Sequence, residues 1–147
     1  MDRFQIEVKR VTQDEKLNDR PNAEVIIRGL HEFFSNLTGC TNHDLLSVYL
    51  RDSNGKIVGG LLSYFMGQWF HISHIWIEES LRGQGFGTRL MNHAEDKARE
   101  IGCKYLAIDT QNPLAKQFYE KLGYQVFGVL ENNPREGFSR YFLSKKF

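Results

Sequence analysis

From Pro21 to Leu37 the apolar residues Val25, Ile26, Leu30, Phe33, Phe34 and Leu37 recur at three- and four-residue spacing, and Gly39 follows. That period predicts a helix with one apolar stripe and a glycine stop. Upstream, FQIEVKR alternates apolar and polar from Phe4 to Lys9, which predicts a half-buried strand. Downstream the period changes to two. DLLSVYLRD and KIVGGLLSYFMG are joined by SNGK, whose Asn54 and Gly55 suit a tight hairpin turn, and QWFHISHIWIEE follows directly after Gly67. Three antiparallel strands in a meander are therefore predicted.

The helical period returns in Leu90, Ala94, Lys97, Ala98 and Ile101, ending near Gly102. CKYLAIDT is a mostly apolar strand. Asn112 then caps a helix with Pro113 at its first position, and Gly123 closes it after LAKQFYEKL. YQVFGVL and FSRYFLSKKF are the last two strands. The resulting order is strand, helix, three strands, helix, strand, helix, two strands. This predicts an α/β chain with a mixed sheet. Strand 69–78, helix 85–101 and strand 104–110 form a right-handed crossover, so those strands are expected to be parallel neighbours, with ligands beyond their C-terminal ends.

Composition narrows the function classes. At 147 residues the chain can bury a core without staples, and residues 1–147 are expected to form a single domain. Nineteen basic and 18 acidic residues leave a net charge of +1, so no global field recruits nucleic acid or an anionic membrane. An anionic ligand must then be held by a local device. Cys40 and Cys103 have no paired spacing and the N-terminal stretch is charged. The apolar runs fall short of the ~20 residues of a membrane span. A reduced, cytoplasmic protein is expected, its cysteines buried as small hydrophobes. His71 and His74, three apart on a strand, are expected on opposite faces and make no metal pair. No metal site is expected.

The stretch SLRGQGFGTRL, residues 80–90, sets three glycines where a helix begins, just after the third strand of the meander. Backbone amides at such a place can cradle an anion, helped by the helix dipole. A Walker loop is excluded, because the residues after Gly83 lead to Thr88 and Arg89 without a lysine. The dinucleotide pattern fits poorly: Gly83 and Gly85 could begin it, but Thr88 holds the third glycine position, and the cluster does not lie in the first strand-to-helix turn.

The pattern that does match is Arg82, Gly85 and Gly87. IWIEESLRGQGFGTRLM resembles the acyl-CoA pyrophosphate loop of the GNAT superfamily of N-acetyltransferases, and NPLAKQFYEKLGY, Asn112 to Tyr124, resembles that family's second cofactor segment. The resemblance covers the chain after residue 44 and, more loosely, the first strand and helix. A single helix precedes the hairpin where the family often has two. The fold it implies is a mostly antiparallel sheet of about seven strands, with a parallel central pair splayed at the cofactor site and about three flanking helices.

The same resemblance implies the site. The amides of Arg82, Gly83, Gln84, Gly85, Phe86, Gly87 and Thr88 would hold the pyrophosphate of acetyl-CoA. Ile75, Trp76 and Ile77 would pair with the pantetheine arm as an added strand, the Ile77 amide taking the thioester oxyanion. Tyr119 would be the general acid for the departing thiolate. Asn112 would cap its helix and reach the pantetheine amide. For the base that takes the amine proton, His71 is preferred among His71, His74, Glu78, Glu79 and water. By period two, His71 shares a face with Ser73, Ile75 and Ile77. Glu131, Arg135 and Phe138, in the long loop before the last strand, border the acceptor site in such a fold, and Glu24, Glu32 and Asp44 are candidate acceptor carboxylates. Direct acetyl transfer to a primary amine of a small molecule is the expected activity. Peptide acetylation, a non-catalytic acyl-CoA sensor and a nucleotide-binding module are the alternatives. A homodimer built on the last strands is common for the fold.

Overall fold

The computed structural model describes residues 4–147. The chain falls into two compact units, Met1–Cys40 and Thr41–Phe147. The first contains helix α1, Lys16–Thr38, closed by Gly39 in a left-handed conformation whose amide returns to Ser35. The helix begins earlier than the apolar stripe. Pro21 lies inside it, so the backbone bond that position would donate is missing.

The strand expected over Phe4 to Lys9 does not form; those residues have no regular structure. An alternating run becomes a strand only when a neighbour completes its hydrogen bonds, and this run has no such partner among the described residues. The sheet therefore has six strands rather than about seven.

In the second unit β1 (His43–Arg51), β2 (Ile57–Met66) and β3 (Trp69–Ile77) form the antiparallel meander. A single turn of 3₁₀ helix, Glu79–Leu81, leads to α2 (Phe86–Ile101), then β4 (Tyr105–Thr110), α3 (Pro113–Lys121), β5 (Gln125–Glu131) and β6 (Ser139–Lys146). The order across the sheet is β1-β2-β3-β4-β6-β5, and β3 and β4 are the parallel pair. The meander and the parallel pair agree with the sequence reading, which did not place β6 between β4 and β5.

One face of the sheet carries the core. Leu61, Phe70, Ile72, Leu106, Ile108 and Leu143 meet Met91, Ala94 and Ala98 of α2, with Tyr119 and Tyr124 completing the cluster. Of the face read along α2, Leu90, Ala94 and Ala98 are buried, Ile101 is half-buried and Lys97 is exposed; each large apolar side chain so buried contributes about 1.5–3 kcal/mol. Into this core α2 also brings Glu95, 6% exposed. Its carboxylate accepts hydrogen bonds from the Tyr124 hydroxyl at 3.0 Å and from Lys145 Nζ at 3.0 and 3.1 Å. A buried charge persists only with such partners.

Candidate active site

The parallel pair is incomplete. Strands β3 and β4 pair from Trp69 and Tyr105 only as far as Ile72 and Ile108; beyond, β3 runs on to Ile77 and β4 to Thr110. The two strands part, leaving His74–Ile77 paired only on the β2 side. Glu78 donates its amide to Val58 of β2 at 2.9 Å. Since amides alternate along a strand, those of Ile75 and Ile77 point into the gap, free to bond a ligand strand.

Helix α2 begins at the open end of this gap. Gly83 and Gly85 adopt φ of 72° and 84°, values that side chains rarely tolerate. Gly85 is the N-cap without any side-chain cap bond, and no acidic residue stands in the first turn. The first helical bond runs from Arg89 to Gly85, so the amides of Phe86, Gly87 and Thr88 precede the ladder and stay available. Gly87 serves packing instead: a Cβ there would lie 3.3 Å from Phe118 and 3.6 Å from Ile77. This close approach sets α2 against both α3 and β3. Arg82 turns back, donating from Nε to the Ile77 carbonyl at 2.9 Å, and Gln84 donates to the Ser80 carbonyl. Their side chains brace the loop and leave the amides to face outward.

Asn112 caps α3, its side chain accepting from the Leu114 amide at 2.9 Å. This fixes the helix that carries Tyr119, which is only 2% exposed. The Tyr119 ring packs edge-on against Phe118 and Tyr124. Its hydroxyl makes no hydrogen bond, yet no sealed side-chain polar atom among the described residues lacks a partner. The hydroxyl is therefore the part of Tyr119 that reaches accessible surface. Burial, and secondarily the Asp109 carboxylate, push its pKa up to about 12.

On the face of the sheet away from α2 a cavity of about 460 Å³ lies where β3 and β4 part, lined by His71, His74, Asp109, Phe127, Arg140 and Phe142 among others. His71 stacks on Tyr64 with ring centroids 4.8 Å apart, and burial holds its pKa below the usual 6.5. His74 shares the cavity, which corrects the expectation that the two histidines face opposite ways. The cause is a bulge: Ile72 pairs with Ser63 and His74 with Leu62, so Ser73 is an extra residue. Past the bulge the alternation shifts by one. Ile75 packs toward the core cluster and no longer shares the face of His71.

Of the other base candidates, Glu78 lies 3.7 Å from Lys56 and Glu79 opens the 3₁₀ turn; neither lines the cavity. Glu24 pairs with Arg20 within α1, and Asp44 belongs to β1. Glu131 ends β5, while Arg135 stacks over Phe138 in the following loop. That loop is tied to the start of α3 by Gln111, which donates to Asn133 at 2.6 Å.

Sequence reasoning passed over Asp109, Phe127, Phe142 and Tyr64, and took Arg140 only as a loop end. Asp109 stands at the C-terminal end of β4, where ligands of parallel pairs collect; that position was the available signal. Among the described residues no group of three or more His, Cys, Asp or Glu side chains could hold a metal ion. No helix among the described residues is long and apolar enough to cross a membrane.

A mixed sheet parted at its parallel pair, with open helix amides at the mouth, is the arrangement expected of an acyl-group transferase. Comparison with known proteins agrees. The Acetyltransferase (GNAT) family profile matches residues 10–124, and the chain belongs to this family of acetyl-transferring enzymes. An acetyltransferase of Agrobacterium fabrum is 33% identical over 102 residues, which are 69% of this chain and 74% of that protein. The blasticidin-S acetyltransferase of Streptomyces morookaense is 31% identical over 104 residues, 70% and 76% of the two chains. The crystal structure of an acetyltransferase from Bacillus cereus superposes with a TM-score of 0.73 at 29% identity, covering 97% of this chain and 98% of that one.

Proposed function

We propose that the protein transfers the acetyl group of acetyl-CoA directly to a primary amine of a small molecule, residues 1–147 working as one catalytic domain. The observation that carries this reading is the gap between β3 and β4, which opens onto the uncapped N-terminus of α2. Anions bind at such a terminus through unpaired amides and the helix dipole. The loop from Arg82 to Thr88 takes the pyrophosphate, while Ile75, Trp76 and Ile77 take the pantetheine arm as an added strand. Asn112 orients the arm from the start of α3.

The acceptor enters from the cavity on the opposite face. Its ammonium gives a proton to His71, whose lowered pKa keeps the imidazole neutral and able to accept. The neutral nitrogen attacks the thioester carbon, and the oxyanion that forms is held by the Ile77 amide. Collapse forms the amide and breaks the carbon–sulfur bond, releasing CoA thiolate. A thiol of pKa about 8.5 leaves beside a phenol of about 12. Full proton transfer from Tyr119 is uphill by that difference, so its main service is a hydrogen bond to the sulfur as negative charge develops. Cys103 is unsuited to carry an acyl group, being buried with its thiol pushed up by desolvation. The relative that acetylates blasticidin S supports a small-molecule acceptor.

The test incubates the protein with acetyl-CoA and a panel of polyamines, amino-acid derivatives, aminoglycosides and peptides, following free thiol, with CoA-dependent melting measured in parallel. Thiol release that requires an amine is the expected result. Absence of any CoA-induced shift removes the proposal.

A further inference from the structure

We propose that the Asp109–Arg140 pair is the acceptor-recognition element, and that the acceptor is a zwitterion: a small apolar amine carrying its own carboxylate, such as an amino acid. The inference rests on the acetyl-transfer reading and names the substrate class for that site. Asp109 lies one residue beyond Ile108, the last residue of β4 that pairs with β3. Residues 107 and 109 of β4 and 140 and 142 of β6 share one face, so Asp109, Arg140 and Phe142 project into the same cavity.

The pair is arranged asymmetrically. Arg140 directs both Nε, at 2.6 Å, and Nη2, at 2.5 Å, onto a single oxygen of Asp109, Oδ2. Asp109 Oδ1 and Arg140 Nη1 make no hydrogen bond to protein among the described residues, and the guanidinium lies over the Phe142 ring, 5.4 Å from its centroid. The side chains remain 32% and 40% exposed, so the pair adds little to stability. What it offers is an unused acceptor beside an unused donor at the mouth of the gap. An ammonium fits the first and a carboxylate the second, the latter as a charge-assisted bond to guanidinium.

Charge arithmetic separates this acceptor from a polycation. Among the described residues Asp109 is the only carboxylate lining the cavity, and Arg140 already balances it. His71 and His74 add no negative charge. A polyamine or an aminoglycoside would bring several cations to a site of no net charge, facing a fixed guanidinium. A zwitterion cancels both members of the pair. The remaining walls, Phe127, Phe142 and Tyr64, suit an apolar side chain.

The experiment uses the full chain with saturating acetyl-CoA and three matched sets: phenylalanine, leucine and methionine as free acids, as methyl esters and as the decarboxylated amines. Spermidine and kanamycin accompany them. The free acids are expected to exceed their esters and amines in kcat/KM by about 10- to 100-fold, the range lost with a hydrogen bond to a charged group. In Arg140→Met that preference should vanish through KM while the CoA-induced melting shift stays, and Arg140→Lys should restore part of it. Preference for esters or polycations overturns the proposal, as does a panel in which no free acid is acetylated; the wild-type comparison suffices if a variant fails to fold. Loss of the CoA shift in the wild-type protein would instead overturn the acetyl-transfer reading beneath it.

Discussion

His71 and Tyr119 are moved in opposite directions by the same cause, because burial penalises an imidazolium and a phenolate alike. Each is held neutral, the form its proposed role requires. The imidazole, with its pKa lowered, should accept a proton at any pH above its folded value. We therefore expect kcat/KM to fall on acidification with an apparent pKa below 6.5, and His71→Gln to abolish that limb in a pH profile. The same shift bears on stability with a definite sign: its contribution is fully present above the unfolded value and is lost as pH falls through the folded one. Tyr119, at about 12, should produce no alkaline limb below about pH 11. Tyr119→Phe is expected to lower kcat by about 100-fold and to leave CoA affinity, measured by calorimetry, nearly unchanged. A pure acyl-CoA sensor would show no turnover for the substitution to lower.

At the scale of elements, the site depends on how α2 meets its neighbours. Gly87 allows α2 to approach Phe118 and Ile77, so Gly87→Val should overpack the junction at a cost of about 1–3 kcal/mol. Because that junction sets the loop amides, a larger proportional loss is expected in CoA affinity than in melting temperature. The far side of α2 is fixed by a different device. Glu95→Ala would strand Lys145 Nζ and the Tyr124 hydroxyl, which among the described residues hydrogen-bond to that carboxylate alone. We expect it to destabilise the protein by about 3–5 kcal/mol in denaturant unfolding, with the Tyr119 side of the core loosened as a consequence. The bulge in β3 works at the same scale, since one unpaired residue decides that His74 joins His71 in the cavity.

For the whole molecule, a ligand that binds only the folded chain raises its stability by mass action. Coenzyme A at 100 times its dissociation constant should add about 2.7 kcal/mol, which for a chain of this size is a rise of about 5–10 °C in Tm. Arg82→Ala would distinguish a bracing side chain from a phosphate ligand. The donation to the Ile77 carbonyl predicts that the variant loses thermal stability even without ligand, read as a lower melting temperature of the ligand-free protein.

The order of strands and helices, the parallel pair, the loop at residues 82–88 and the Asn112 cap were legible in the sequence, because each rests on local periodicity or on a short run whose backbone demands particular residues. Gly85 and Asn112 carry their own conformational signal wherever the chain goes. The run at Phe4 to Lys9 had the signal of a strand and lacked the partner, which no local pattern supplies. The facing of His74 and the convergence of Asp109 with Arg140 were likewise not readable. A bulge shifts every later side chain by one, and residues 109 and 140 meet only because β6 returns beside β4. What local sequence could specify was the proposed donor-binding device, because it is made of backbone. The proposed acceptor side had to wait for the fold, because it is made of side chains from β2, β3, β4, β5 and β6 brought together by strand pairing.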